Sequence, residues 1–296
     1  MKKFKGAGVA LVTPFQESGS VDYPALERVI EHVIQGGVNY LVVQGTTGET
    51  AVLTKEEKKE VLAFVKKTNK GRLPIVFGIG GNNTQEVIDT IHQTDFTGVE
   101  GILSVSPYYN KPSQGGIIAH YEAIADVCPV PVILYNVPGR TMSNMLAETT
   151  LELAKHPNII GMKEASGNLE QCMQIAHRKP DDFLLISGDD LMTTAMRAIG
   201  AEGVISVIAN AYPRIMASII NGTDTESRNS TFSLLEINPL MYEESNPVGV
   251  KFLMSYMGLC REQVRLPLMN ASASLKNRII AAAEKIPSQL YSAHMG

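Results

Sequence analysis

A lysine at the end of a short apolar run is the residue of this sequence best placed for covalent chemistry. Lys163 closes the run NIIGMK at 158–163. Partial desolvation at the end of a buried strand would disfavour the ammonium form and leave a nucleophilic amine, which forms a Schiff base with a carbonyl substrate. The alternative is a lysine that reaches solvent or pairs with Glu164. Position alone does not decide between the two interpretations.

A tyrosine ends the preceding apolar run. Tyr135 lies in VILYNVPGR at 132–140, where a phenol beside an amine could shuttle protons, provided that hydrogen-bonded partners complete the relay. The alternative is a tyrosine at the edge of the core with a satisfied hydroxyl. Arg140 closes the same segment and could grip a carboxylate with its planar guanidinium, or could be an ordinary surface arginine.

A glycine-rich pentapeptide, GTTGE at 45–49, follows another apolar run. Its glycines permit a tight loop whose backbone N–H groups face inward, and Thr46 and Thr47 add hydroxyl donors. No lysine follows as in a Walker motif, so the loop suits a carboxylate better than a phosphate. The alternative is an ordinary turn with Glu49 near the start of a helix.

Other polar residues near the ends of apolar runs give weaker signals. Tyr108 and Tyr109 follow Pro107 and could form an interface or supply a hydroxyl. Asp189 and Asp190 lack a third ligand at a diagnostic spacing, so they are interpreted as the N-cap of the next helix. The histidines lie in helical or terminal segments and predict neither a triad nor a metal site; they are residues 32, 92, 120, 156, 177 and 294.

Short apolar runs must position these groups. They are almost continuous in Val, Ile and Leu, which is typical of parallel strands buried on both faces. The runs are 8–14, 39–45, 73–80, 98–107, 130–138, 158–166, 182–189 and 202–210.

Helical patterns separate the runs. Asp22 precedes one such segment, and Thr54 with Glu57 predicts a capping box at the start of another. Eight strands alternating with helices predict an α/β fold, a closed (β/α)8 TIM barrel with its active face at the strand ends. An open doubly wound sheet is the runner-up, weakened by the lack of G-x-G-x-x-G after the first strand. We expect a catalytic barrel over 1–222 and a C-terminal helical extension over 223–296.

Composition excludes several classes of protein. The chain has 296 residues, a net charge of −4, 44% hydrophobic and 19% charged residues, which suits a large core. No basic stripe indicates nucleic acid. Cys128, Cys172 and Cys260 are widely spaced and predict buried, reduced thiols. The apolar stretch near the N-terminus is short and is interrupted at Thr13 and Pro14, so we expect no signal peptide, no membrane span and a cytoplasmic protein.

Six motifs in a fixed order resemble the dihydrodipicolinate synthase family of pyruvate-dependent lyases, which include N-acetylneuraminate lyase. The similarity extends over roughly the whole chain, including NPVGVKF and VRLPL near the C-terminus. The motifs are GTTGE at 45–49, SPYYNKP at 106–112, YNVPGRT at 135–141, GMKEASG at 161–167, SGDD at 187–190 and GVISV at 203–207.

The resemblance implies a role for each candidate. Lys163 would form an imine with pyruvate, and Tyr135 would shuttle protons in a relay completed by Thr47 and by Tyr109, which would reach across a tight dimer interface. Thr46 and Thr47 would hold the carboxylate of pyruvate. The groups expected around the two substrates are Arg140, for the carboxylate of L-aspartate 4-semialdehyde, and Gly188 and Ile205, which would line the pyruvate pocket.

The implied reaction condenses pyruvate with L-aspartate 4-semialdehyde in diaminopimelate and lysine biosynthesis. It needs no metal or organic cofactor, because the lysine is the electron sink. The resemblance also implies a homotetramer, a dimer of tight dimers.

A regulatory cleft for L-lysine at the dimer interface is a further expectation. Lys55 and Lys58 depart from the pattern of inhibited members, which often carry histidines there, and two ammonium groups would oppose a cationic ligand. We therefore expect weak or absent inhibition. The residues of this cleft would be Thr50, Ala51, Lys55, Lys58, Asn82, Glu86 and Tyr108.

Two other functions compete with the synthase. A sibling aldolase that cleaves N-acetylneuraminate or a 2-keto-3-deoxy sugar acid would use the same imine, but its pocket needs hydroxyl-binding groups where Arg140 stands. A barrel that only binds a small acid is the third possibility. The joint presence of Tyr135, Thr47, Tyr109 and Lys163 argues against it.

Overall fold

Eight parallel strands follow one another in sequence order around a closed barrel in the computed structural model, which describes residues 2–290. This confirms the predicted (β/α)8 fold and excludes the open sheet. The strands, β1 to β8, are Gly6–Ala10, Tyr40–Val43, Ile75–Gly78, Gly101–Val105, Val132–Asn136, Ile159–Glu164, Leu184–Ser187 and Gly203–Ser206.

Each strand is shorter than the apolar run that predicted it. The run at 39–45, for example, yields β2 over Tyr40–Val43, and its last residues already belong to the turn that follows. β1, β2 and β5 to β8 are buried along their whole length, as expected for strands covered on both faces. The polar residues at the ends of the runs therefore lie in or beside the loops.

Twelve helices accompany the strands within residues 2–290. In order, α1 to α12 are Tyr23–Gln35, Lys55–Asn69, Thr84–His92, Gln114–Val127, Pro138–Thr141, Ala147–Leu153, Leu169–Arg178, Thr193–Ala198, Pro213–Asn221, Asp224–Ser233, Val248–Tyr256 and Ala273–Ala283.

Two predicted helix starts are confirmed and one is wrong. Asp22 caps α1, and Thr54 forms the expected capping box with Glu57 at α2. The Asp189 carboxylate instead accepts from the backbone N–H groups of residues 191 and 192, before α8 begins at Thr193. It therefore stabilises the turn that leads to the helix, because a further turn separates β7 from α8.

The chain forms two compact units. One comprises residues 2–5 and 74–205, and the other comprises residues 6–73 and 206–290. The boundary predicted after residue 222 falls between α9 and α10 and stays a prediction. Residues 291–296 of the predicted extension, with His294, lie outside the described part of the chain.

The cysteines are buried free thiols, as predicted. Burial raises the pKa of Cys172 to about 12, with a smaller contribution from the charge of Glu164, and burial raises the pKa of Cys260 to about 11. These thiols are therefore protonated and unreactive at neutral pH. Within residues 2–290, no helix has the length and apolar character needed to cross a membrane.

One buried histidine makes the fold sensitive to acid. His120 on α4 is 5% exposed, and its Nδ1 lies 2.9 Å from the hydroxyl of Thr84. Its Nε2 has no hydrogen-bond partner among residues 2–290. Burial lowers the pKa of His120 to about 4, because a second N–H would be introduced where nothing accepts it.

We expect His120 to reduce the free energy of unfolding by about 1–2 kcal/mol between neutral pH and about pH 5. In that interval an unfolded histidine, with an ordinary pKa of about 6.5, binds a proton that the folded state does not bind. Urea denaturation at both pH values should show a smaller acid loss for His120→Asn than for the wild type. His92→Asn, at an exposed position of α3, should keep the wild-type loss, and equal losses in all three proteins would contradict this assignment.

Candidate active site

The amine of Lys163 lies over the ring of Tyr135. The two residues are register partners in the pairing of β5 with β6, so their side chains project from the same face of the sheet. The Lys163 Nζ is 4.3 Å from the centroid of the Tyr135 ring. Lys163 is 5% exposed and Tyr135 is 8% exposed. Lys163 therefore does not extend into solvent, and a phenol lies beside its amine.

Gly188 brings backbone against the aliphatic part of Lys163. It follows β7, and its N–H donates to the carbonyl of Glu164 over 2.8 Å. A Cβ at this position would lie 2.6 Å from the Cβ of Ala165 and 3.1 Å from the Cε of Lys163. Only glycine permits this approach, which confines the lysine side chain from the side of β7.

Glu164 is engaged away from the lysine. Its carboxylate is buried and accepts from the side-chain amides of Asn136 at 3.0 Å and Gln171 at 2.9 Å, and from the N–H of Ser166 at 2.7 Å. A buried carboxylate is tolerated when donors surround it in this way. Because Glu164 is saturated by these donors, it anchors β6 to β5 and α7, and Lys163 is left to face Tyr135.

The same cluster of side chains holds the segment that carries Arg140. Asn136 accepts from the N–H of Met145 over 3.0 Å and donates to the side chain of Asn144 over 2.8 Å. Asn144 in turn donates to Gln171 over 2.8 Å. Both ends of the segment that follows β5 are thus fixed, and Arg140 lies on α5 with its side chain exposed.

The loop after β2 has an unusual backbone in the second unit. Thr46–Gly48 forms a turn of 3₁₀ helix, flanked by left-handed residues at Gln44 with φ 61° and Glu49 with φ 53°. Thr47 is buried, and Thr46 is half-buried. The hydroxyl of Thr13 donates to the carbonyl of Gly48 over 2.7 Å and holds the turn.

A buried ion pair anchors this loop at Glu49, which was predicted only to lie near a helix start. Lys251 of α11 is completely buried and donates to the Glu49 carboxylate, and the N–H of Arg265 adds a bond of 3.1 Å. The Lys251 ammonium also lies 4.1 Å from the centroid of the Phe15 ring. Burial lowers the pKa of Lys251, and the charge of Glu49 opposes that shift.

The tyrosine pair after β4 lies on an exposed loop. Tyr109 has φ 71° and is 87% exposed, and Tyr108 is 41% exposed. The amide of Asn82 donates to the Tyr108 carbonyl over 3.0 Å, and Asn110 donates to the Asn82 carbonyl over 2.9 Å. The structure thereby joins two of the residues predicted for a lysine cleft.

The other residues predicted for that cleft lie on separate elements. Glu86 is exposed on α3. Thr50 and Ala51 lie in the turn before α2. Lys55 and Lys58 lie in the first turns of α2 itself. Burial lowers the pKa of Lys58, and the neighbouring charge of Lys55 lowers it further.

Residues 3–286 match the model of the dihydrodipicolinate synthetase family. The chain belongs to this family. The 4-hydroxy-tetrahydrodipicolinate synthase of Cytophaga hutchinsonii is 50% identical to it over 290 residues, which cover 97% of this chain and 98% of the relative. The synthase of Flavobacterium psychrophilum is 49% identical over 284 residues, 94% of this chain and 97% of the relative.

Solved structures of dihydrodipicolinate synthases have the same fold. The enzyme of Thermotoga maritima superposes with a TM-score of 0.93 at 33% identity, over 97% of this chain and 99% of that chain. The chloride-inhibited enzyme of Acinetobacter baumannii, complexed with pyruvate, gives 0.93 at 34% identity, over 96% and 99%. The predicted family, barrel fold and lyase class are confirmed.

Three of the residues predicted for the active site lie close together in the structure, and the others lie on separate elements. Lys163, Tyr135 and Gly188 are in contact or adjacent in the first unit, where Ile205 is buried on β8. Their catalytic roles stay predictions. Sequence reasoning missed the residues that anchor these segments, because the sequence does not show that their polar side chains are buried. They are Asn136, Glu164, Gln171 and Lys251, and also Asn246, whose amide donates to the Thr47 hydroxyl. Within residues 2–290, no three potential metal ligands form a group.

Gly188→Ala should disturb the position of the Lys163 side chain and slow its reaction with pyruvate. We expect the new Cβ to displace Ala165 or Lys163, at a cost of about 1–3 kcal/mol in stability, as for other overpacked sites. The rate at which borohydride traps a pyruvate adduct at Lys163 should fall. Gly115→Ala in α4, where a Cβ meets no atom within 4 Å, is the matched control. A trapping rate equal to that of the control would show that the close approach is unimportant.

Proposed function

We propose that this enzyme condenses pyruvate with L-aspartate 4-semialdehyde through a Schiff base at Lys163. The observation that carries the proposal is the buried amine of Lys163, 4.3 Å from the centroid of the Tyr135 ring on the adjacent strand. An amine that is screened from water and lies beside a proton-transfer group suits imine chemistry. The pyruvate complex of the Acinetobacter baumannii relative supports the choice of first substrate.

The proposed reaction begins at the carbonyl carbon of pyruvate. The Lys163 amine attacks this carbon, water leaves, and an imine forms. Loss of a methyl proton gives an enamine, whose carbon attacks the aldehyde of the second substrate. The amine of that substrate then displaces Lys163 and closes a six-membered ring. The lysine is thus the electron sink, and the proposal includes no metal or organic cofactor.

Each of the other candidates has a proposed role in this sequence. Tyr135 carries protons between the imine and the substrate oxygen, in a relay with Thr47 and Tyr109. Two sets of groups bind the substrates: Thr46, Thr47, Gly188 and Ile205 bind pyruvate, and Arg140 binds the carboxylate of L-aspartate 4-semialdehyde. The exposed position of Arg140, on a segment fixed at both ends, suits a substrate that enters second.

Assembly and location are part of the proposal. Tyr109 is 87% exposed on a loop that is itself hydrogen-bonded, which suits a side chain donated across a tight dimer interface. We propose a homotetramer built from two such dimers, in the cytoplasm. One structural relative, with a TM-score of 0.93 at 32% identity, is a monomeric dihydrodipicolinate synthase variant, so sedimentation analysis is the direct measurement.

Borohydride reduction in the presence of pyruvate, followed by peptide mass spectrometry, tests the Schiff base. We expect the adduct on Lys163, and we expect Lys163→Arg to lose both the adduct and turnover by a factor of roughly 10³ or more, as for loss of a covalent nucleophile. Lys155→Arg, at an exposed ion pair, should retain both. Absence of an adduct from the wild type would eliminate every imine mechanism.

A coupled assay then separates the synthase from its sibling aldolases. Turnover with pyruvate and L-aspartate 4-semialdehyde supports the synthase. Cleavage of N-acetylneuraminate or a 2-keto-3-deoxy sugar acid, without synthase turnover, would favour the alternative. Arg140 favours the synthase, because its cation matches a carboxylate rather than sugar hydroxyls.

We expect L-lysine to inhibit weakly or not at all. The ammonium group of Lys55 and the partly buried Lys58 would repel a cationic ligand. A relative from Cyanidioschyzon merolae, 37% identical, has been solved with lysine bound. The inhibition of this enzyme can therefore be compared with a relative that binds lysine. The measurement is synthase rate against lysine concentration for the wild type and for Lys55→His with Lys58→His. Strong inhibition of the wild type at low lysine concentration would contradict the expectation.

A further inference from the structure

The segment that precedes α11 reaches the proposed relay. The Asn246 side chain donates from Nδ2 to the hydroxyl oxygen of Thr47 over 3.0 Å. Five residues later, Lys251 binds Glu49. Residues 246–251 therefore contact the loop after β2 at two positions, one of which is the hydroxyl that the proposed mechanism uses.

The Asn246 amide is costly where it lies. The residue is 5% exposed, and its Oδ1 has no hydrogen-bond partner anywhere in residues 2–290. An unpaired buried acceptor costs free energy, so the amide contributes here through the bond that its Nδ2 makes. The bond to Thr47 is the gain that offsets this cost.

The direction of that bond decides what Thr47 can do. A threonine hydroxyl has one proton to donate and two lone pairs that accept. Because Asn246 donates, it occupies a lone pair and leaves the hydroxyl proton free for a different acceptor. An acceptor at position 246 would have the opposite effect and would take that proton.

We infer that Asn246 is a positioning residue that sets the direction of proton donation by Thr47. The inference rests on the proposed function, in which Thr47 belongs to the proton relay. Lys251 supports the same loop through Glu49 but leaves the Thr47 hydroxyl untouched. Asn246 thus acts on the hydroxyl that transfers the proton, whereas Lys251 stabilises the backbone of the loop that contains Thr47.

Two substitutions separate the effect of the Asn246 hydrogen-bond donor from the effect of its side-chain volume. Asn246→Asp keeps the volume and removes the donor, and Asn246→Ala removes both. We expect each variant to lower kcat about tenfold. This is less than the roughly 10²–10⁴-fold that a general acid–base group contributes, because Asn246 acts only through Thr47. Because Thr47 is also proposed to bind pyruvate, the KM for pyruvate should rise, but by a smaller factor than kcat falls. The solvent deuterium isotope effect on kcat should increase because proton transfer becomes slower.

Asn238→Ala is the matched control. Asn238 is also buried, at 3% exposure, and its Oδ1 also lacks a partner among residues 2–290, but it lies in the turn Asn238–Met241. We expect this variant to keep the wild-type kcat and isotope effect. An equal loss in Asn238→Ala and Asn246→Ala would assign the effect to the general loss of a buried amide and would overturn the inference.

A double-mutant cycle makes the test independent of folding defects. In a Thr47→Val background, replacement of Asn246 should lower kcat no further, because its target hydroxyl is already absent. Additive losses would overturn the inference, as would an Asn246→Asp enzyme with wild-type kcat. A wild-type protein without the Lys163 adduct would instead refute the proposed function, so the two failures are distinguishable.

Discussion

The register between β5 and β6 is the constraint on which the site depends. Parallel pairing places Tyr135 opposite Lys163, and the two-residue periodicity of a strand sends Glu164 to the other face. A shift of one residue would exchange the lysine and the glutamate. The amine would then meet the amides of Asn136 and Gln171, and the carboxylate would lie over the tyrosine ring.

Buried polar groups secure this arrangement from outside the strands. Glu164 joins β6 to Asn136 of β5 and to Gln171 of α7 through neutral amides, and it also accepts from the N–H of Ser166, without a cation. In the second unit the loop after β2 is secured by a charged pair, Glu49 with Lys251. Removal of one partner from such a pair costs about 3–5 kcal/mol in general, because the other charge stays buried. In each unit, buried polar contacts hold the loops in place, and removal of one partner from such a contact would destabilise the fold.

Much of the site could be predicted because the relevant signals are local. Continuous apolar runs indicated eight buried strands, and the residues that end each run are the residues that a barrel presents at one face. Lys163, Tyr135 and the loop at 45–49 were found in this way. The capping box at Thr54 was found because the four residues from Thr54 to Glu57 carry the whole signal. The cap at Asp189 was misplaced because residues 191 and 192 do not yet belong to the helix.

Asn246 and Lys251 could not be predicted as anchoring residues, because their partners are distant in sequence. Asn246 lies 199 residues from Thr47, and Lys251 lies 202 residues from Glu49. In the sequence, Lys251 is one lysine in an apolar helix, and nothing shows that it is completely buried. Residue types and periodicity alone predicted the barrel and placed Lys163 and Tyr135 as candidates at the ends of neighbouring strands. Only the tertiary structure decided which polar groups are buried together, since burial and hydrogen-bond partners arise from packing between elements that the sequence does not place side by side.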